Sequence, residues 1–555
     1  MTALTRTGKS NLAHKWKQIA LLFVFSSCMY FPFIHQAFHI DADILLYASQ
    51  QILKDPLNPP SGEYGERMLF HTTMPASSAW YRCAHPPLLP LLLAPLTRIA
   101  QNREWMFHSV LFISYILAVI GGWFFLGLFF TAREQLLGAL LWAVCPAVVV
   151  NSHTVMWDIT ITAMILWALA LFIAGVRRSS RKMIFLAGLI TGIGAITKSN
   201  VFPVYLAAGT SLIIMKRWRD LMLWSLPAVF FPLLWIFHTM NLYGKIQYLS
   251  TGIMSTCLGD YRYRFERMAG YMGGAICLPV FWFWLAVRNR NTISLVVIST
   301  GCFIWSALLF LIVRHPIWIA FAYWIFSSAG CWVLFKLIQI GVPRSRCYEQ
   351  TTIRIFVGSY ATLLLFFPTA SIRYMLPLLF TALLLFVYEV SKREYREQKV
   401  FWSAVLLFTL PLSILLSIGD YLFCEADKRL PEDLIKRGYG PSETWYYGRL
   451  SFAYYLHQAG FRFLGVDQPG PFKGDYIIHE TVPGDCNFRE RLPQEFKTVP
   501  VDSLEYFNYP VRTKGYFAGF YGSGRLPYTL KFNRPQRAFW IYRIEKHLPP
   551  QEAGQ

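Results

Sequence analysis

Long apolar runs separated by short, often basic loops occupy the first 420 or so positions, and this pattern predicts the architecture before any motif does. A helix crossing the hydrocarbon core needs roughly 20 apolar residues without interior charge. By that rule about thirteen spans are expected, near 18–38, 105–130, 134–151, 157–176, 183–197, 201–215, 220–240, 270–287, 293–313, 316–338, 352–368, 374–390 and 400–419. Thr197-Lys198-Ser199-Asn200 interrupts the pair at 183–215. From about 421 onward the pattern changes. Charged residues, Gly, Pro and aromatics intermix, and no run of span length remains. There "TWYYG" and "FRFLG" read as short strands around the amphipathic helix "SFAYYLHQAG", followed by the strands "DYIIHE" and "RAFWIYRI". The expected organisation is a transmembrane domain over 1–420, with a first outer loop at 39–104, and a small soluble α/β domain over 421–555.

Orientation follows from Lys and Arg, which favour short cytoplasmic loops. Arg6, Lys9, Lys15 and Lys17 precede the first span. Arg133, Arg177-Arg178 with Arg181-Lys182, Lys216-Arg217-Arg219, Arg288-Arg290, Arg344-Arg346 and Lys392-Arg393-Arg396 then fall at every second loop. The amino terminus is therefore expected inside and the C-terminal domain outside. Residues 39–104, Asn151–Asp158, Lys198, 241–269, Arg314-His315 and Ser371–Tyr374 then share the outer face.

Composition supports this reading. A mean hydropathy of +0.37, with 55% hydrophobic and 15% charged residues, is that of a polytopic membrane protein. The formal charge of +21 is accounted for by cytoplasmic clusters facing anionic lipid, so nucleic acid is not an expected partner. The first apolar segment is long and lacks a small-residue cleavage site, so it reads as an anchor. The ten cysteines are scattered without a CxxC pair, so a zinc site is not expected. Cys424 and Cys486 both fall beyond the spans, where a disulfide could form in an oxidising compartment.

Four constellations could carry chemistry. In "HIDADILLYASQQIL", Asp41 and Asp43 open a helix whose apolar positions Ile44, Leu45, Ala48 and Ile52 suit an interfacial helix. Asp41 reads as an N-cap with Asp43 as a first-turn acid, or as a carboxylate placed to accept a proton from a nucleophile. At the loop's far end, Arg82 and His85 precede the entry prolines of a short apolar helix and could bind an anion. Lys198 and Arg373 are outer-side cations at the edge of the hydrocarbon. They either snorkel to headgroups or grip phosphate, Arg373 bidentately. Asp158 opens a span as a cap or as a supporting acid, with Tyr374 beside Arg373 as a further supporting residue. Arg262, Arg264 and Arg267 read as a basic rim or, more simply, as a solvated loop.

The runs "HIDADILLYASQQILKDPLNPP", "HPPLLPLLLAPL", "VMWDITITAMILWALALF", "GAITKSNVFPVYL" and "IRYMLPLLF" resemble the membrane glycosyltransferases of the C-type fold. The resemblance is to the bacterial family 39 type, relatives of protein O-mannosyltransferases and lipid A aminoarabinose transferases. The ending also resembles the outer domain of the bacterial subset. What the resemblance implies is transfer of a sugar from a polyprenyl-phosphate carrier to a glycan, lipid or protein acceptor on the outer face. It implies Asp41 as the catalytic carboxylate, with Ala42 where a second acid is usual and Asp43 one position further on. It implies inverting displacement, with Lys198 and Arg373 stabilising the phosphate that leaves. A divalent metal on Asp41 and Asp43 ranks below metal-free action. A transporter or flippase of polyprenyl-linked glycan, and a non-catalytic envelope binding protein, are the alternatives.

Overall fold

The computed structural model describes residues 8–39, 42–56, 86–100, 103–244, 246–250, 261–288, 292–313, 316–340, 347–366, 371–447, 451–464, 471–481, 496–515, 518–521 and 524–547, which form a helical membrane bundle followed by a sheet. Among these residues seven helices are long and apolar enough to span: Glu104–Leu126, Trp157–Arg178, Trp218–Leu242, Thr292–Leu311, Ile317–Gln339, Ile372–Ser391 and Tyr395–Lys436. Two bent pairs, Ala132–Val144 with Pro146–Ser152 (53°) and Tyr261–Gly274 with Pro279–Arg288 (81°), raise the number to nine. In each pair a proline opens the second helix, where its missing N–H is harmless but its ring prevents continuation of the first.

This is fewer than the sequence pattern suggested, for local reasons. The helix Gly8–Tyr30 is 23 residues long, but Lys9, Lys15 and Lys17 occupy its first half. Arg181–Ala195 and Phe202–Ile214 have 15 and 13 residues, too short to cross alone. Cys347–Phe366 carries Glu349 and Arg354.

The spans divide by enclosure. Ile372–Ser391 and Trp157–Arg178 are 89% and 83% buried over their apolar windows, against 17% for Thr292–Leu311, so the first two form the interior and the third faces lipid. Close helix approach uses glycine, as expected where neighbouring lipid is as apolar as the protein. A Cβ on Gly273 would collide with the Phe326 carbonyl, and one on Gly330 with the Ala269 carbonyl. These two glycines let Tyr261–Gly274 and Ile317–Ile340 pack backbone to backbone.

Five strands form the C-terminal sheet. Thr444–Tyr447 pairs in parallel with Arg462–Phe463 and with Tyr476–Thr481; Arg537–His547 then runs antiparallel between Tyr476–Thr481 and Phe496–Tyr506. The helix Ser451–Gln458 makes the crossover that a parallel pair needs. Ile478 and Ile541 are paired and fully buried, and Phe452 and Leu456 of the crossover helix close the same small core. The strand Phe496–Tyr506 escapes the sequence pattern because Pro500, Asp502 and Ser503 break its alternation, and the ladder slips at Pro500/Asp502. The helix Tyr395–Lys436 runs unbroken through position 421, so the expected domain boundary falls inside a helix.

That helix also receives the sheet region. The Arg537 guanidinium pairs with Asp427 at 2.7 Å, both side chains being fully buried, and also meets Glu480. The Tyr521 hydroxyl lies 3.2 Å from Asp420 Oδ2, and Thr513 donates to Asp420 Oδ1 at 2.9 Å.

Candidate active site

The segment His153–Asp158 links Pro146–Ser152 to Trp157–Arg178, and it is buried throughout. Three of its long-range contacts bear on the site. The Thr154 hydroxyl lies 2.8 Å from the Tyr521 hydroxyl, Met156 Sδ is approached by Arg373 Nη1 at 2.8 Å, and Asp158 Oδ1 receives Lys198 Nζ at 2.5 Å. One short buried turn thus brings together the C-terminal region and the two cations Lys198 and Arg373.

Asp158 stands in the first turn of its helix, where the N-cap residue Met156 offers no side-chain cap. Its carboxylate is turned to Lys198 instead. Lys198 is extended (φ −162°, ψ 142°) between two short helices, is 1% exposed, and sits 4.4 Å above the Tyr374 ring. A side chain so enclosed does not snorkel. Tyr374 also accepts at its hydroxyl from Arg373 Nη2, 2.9 Å away, so the aromatic lies between the two cations. Its carbonyl accepts from the Tyr360 hydroxyl at 2.8 Å, which in turn accepts from Asn200 Nδ2 at 3.1 Å, closing a ring back to the Lys198 turn.

Asp158 offsets the charge of Lys198, and Arg373 adds a second cation to the group. Burial first, then the cations Lys514, Arg537 and Arg373, hold the His39 imidazole well below its ordinary pKa. Buried cations are suited to hold an anion and to stabilise one that forms, because the surroundings screen them little.

Of the residues singled out from the sequence, Lys198, Arg373, Asp158 and Tyr374 are brought together. Asp41, Arg82 and His85 lie outside the described residues, and so does the Asp43 side chain, although its backbone belongs to the helix Ala42–Lys54. That helix buries Leu45, Leu46, Ala48 and Ile52. The arginines expected in a solvated loop instead belong to the helix Tyr261–Gly274. Arg264 and Arg267 are buried there, and Arg262 stacks on Trp305 at 3.5 Å. Cys424 is a free, fully buried thiol, and Cys486 lies outside the described residues.

Sequence reasoning missed the His39–Asp420–Tyr521 group. His39 Nε2 and Asp420 Oδ1 are 3.5 Å apart, with each side chain 1% exposed, and the His39 and Tyr521 rings lie 4.1 Å apart. The available signal was an acid directly following the last apolar run, the kind of edge position that merits attention.

Residues 84–241 match the family of dolichyl-phosphate-mannose-protein mannosyltransferases. The resemblance read from the sequence is borne out. The matched segment contains Asp158 and Lys198, and it ends before Arg373. No curated protein matches the chain. Among solved structures, ArnT from Cupriavidus metallidurans bound to undecaprenyl phosphate is 13% identical, with 80% of this chain and 75% of that one covered at a TM-score of 0.39. The apo oligosaccharyltransferase of Archaeoglobus fulgidus is 11% identical, with 86% and 70% covered at 0.41. Both likenesses are distant. The family match supports a membrane glycosyltransferase.

Proposed function

We propose that the protein transfers a sugar from a polyprenyl-phosphate carrier to an acceptor hydroxyl at the outer face of the plasma membrane. In this reading the amino terminus is cytoplasmic, the membrane domain runs to about residue 420 within the helix Tyr395–Lys436, and that helix continues into an extracytoplasmic domain. The observation that carries the reading is the gathering of Arg373, Tyr374 and the Lys198–Asp158 pair around the buried turn 153–158, within a chain similar to mannosyltransferases.

The reaction is an inverting displacement. The acceptor oxygen forms a bond to the anomeric carbon while the bond from that carbon to the carrier phosphate breaks, and the electron pair leaves with the phosphate. The acceptor proton passes to the Asp41 carboxylate. Negative charge grows on the departing phosphate, so a fixed guanidinium at Arg373 stabilises the transition state more than the ground state. Lys198 contributes directly and also holds Tyr374 beside Arg373. Asp43 assists Asp41, and Arg82 and His85 contact the carrier phosphate. Phosphate is a good leaving group, so no general acid is required.

The test is sugar transfer by purified protein from short-chain polyprenyl-phosphate sugars, with membrane extract as acceptor source. Wild type should consume donor, Asp41→Asn should not, and Arg373→Ala should do so far more slowly. Carrier binding without donor consumption, in the absence of any gradient, would replace catalysis with transport or binding.

A further inference from the structure

Behind the candidate active site, two residues of the turn after the first helix meet two residues of the last long helix. Asp420 and Cys424 are four apart on Tyr395–Lys436 and so share one face. Gln36 and His39 approach that face from the other end of the chain. The His39, Asp420 and Cys424 ligand atoms all lie within 4.8 Å of one another, and all three residues are buried. We propose that His39, Asp420, Cys424 and Gln36 form a buried site for a single zinc ion.

The distances suit such an ion. Zinc bonds of about 2.0–2.3 Å to nitrogen, oxygen and sulfur, at tetrahedral angles, put neighbouring ligand atoms roughly 3.3–3.6 Å apart. His39 Nε2 is 3.5 Å from Asp420 Oδ1. Gln36 Nε2 is 3.0 Å from Asp420 Oδ2 and 3.4 Å from Cys424 Sγ. The polar atoms that remain are those a metal would use. Neither His39 ring nitrogen has a hydrogen-bond partner among the described residues, and neither does Gln36 Oε1, although all are enclosed. A buried polar atom left this way is costly unless something fills the gap. The amide orientation of Gln36 is interchangeable. Turned over, it places Oε1 beside the acid and the thiol as a fourth ligand.

Charge and ligand type point to zinc. One thiolate and one carboxylate cancel a dication, with imidazole and amide neutral, so the filled site carries no net charge into a low-dielectric interior. A mixed S, N, O set excludes calcium and magnesium, which take oxygen alone, and suits zinc. The surroundings supply orientation. Thr513 and Tyr521 bond the Asp420 carboxylate from the C-terminal region, the outer-shell support that ligating carboxylates commonly have. Nearby Arg537 is committed to Asp427. With ligands from both ends of the sequence, the ion would clamp the start of the first outer loop to the last long helix and the sheet region.

The experiment uses tag-free, full-length protein in detergent, treated with EDTA, dialysed and then titrated with zinc chloride. Metal per polypeptide is measured by mass spectrometry, and cobalt(II) substitution reports a thiolate ligand through its charge-transfer absorption. Wild type should retain one zinc and show the cobalt–thiolate band. Cys424→Ser and His39→Ala should each weaken binding by about tenfold or more, and Cys424→Ser should abolish the band. Gln36→Glu, which keeps an oxygen ligand, should retain the ion and so distinguishes lost ligation from lost folding; gel filtration before loading checks every variant. Asp41→Asn should also retain it. Stoichiometry unchanged in Cys424→Ser and His39→Ala, no zinc on wild type, or zinc lost in Asp41→Asn as completely as in His39→Ala would each overturn the proposal. None of these readouts depends on sugar transfer.

Discussion

Lys198 Nζ lies 2.5 Å from Asp158 Oδ1, and the two side chains are 1% and 3% exposed. Water is excluded from both, so each charge depends on the other. Removing one partner of such a pair costs roughly 3–5 kcal/mol, whereas replacing both with apolar groups is close to neutral. Asp158→Ala should therefore lower the thermal midpoint strongly. The double variant Asp158→Leu/Lys198→Met should recover most of that loss without recovering transfer. Differential scanning fluorimetry in detergent beside the transfer assay separates the two effects. Transfer at wild-type rate by the folded double variant would remove Lys198 from the phosphate site.

Arg373 offers a planar fork held against the Tyr374 hydroxyl, and a lysine at this position would keep the charge but lose the fork. If the guanidinium stabilises the departing phosphate, Arg373→Ala should lower kcat by about 10²–10³-fold, the range seen when one transition-state donor is removed. Arg373→Lys should recover only part of it. Steady-state kinetics with a defined donor decides. An effect confined to KM would mean that Arg373 binds the carrier equally well before and during reaction.

Some of this arrangement was legible in the sequence. A lysine amid Thr197, Ser199 and Asn200 between apolar runs stands out, because charge at the hydrocarbon edge is costly without a use. Its partner was legible only as an acid opening a span, since a separation of 40 positions hides their meeting. The strands around Ser451–Gln458 were readable from alternation and aromatic content, while Phe496–Tyr506 was not, because Pro500 and the slip beside it obscure the period. Asp420 was unreadable as a partner of His39, since nothing local ties two residues so far apart and both stand where a span ends. Composition alone does not fix span number, since Arg181–Ala195 has the composition of a crossing helix without its length.

Arg537 joins the last strand to the long helix through Asp427, and the pair has no exposed side-chain surface. Arg537→Met leaves the buried Asp427 carboxylate facing the Ser451 hydroxyl without its cation. The expected outcome is loss of roughly 3–5 kcal/mol from docking of the sheet region. Limited proteolysis should then cut near the end of Tyr395–Lys436 while the membrane bundle stays intact. An unchanged proteolytic pattern would mean that the remaining contacts hold the sheet in place.

Gly330 faces the Ala269 carbonyl across the contact between Ile317–Ile340 and Tyr261–Gly274, with Gly273 directly beside it. The obstacle to a side chain here is backbone, which cannot swing aside as a flexible side chain can. Gly330→Leu should force the two helices apart and cost about 1–3 kcal/mol or more. Gly301, on the neighbouring helix Thr292–Val313, has nothing within 4 Å of an added Cβ, so Gly301→Leu is the matched control and should be tolerated. Thermal unfolding of both variants in the same detergent tests the contrast. Equal midpoints would show that the pair of helices has room to separate, and that close backbone approach is not what sets its stability.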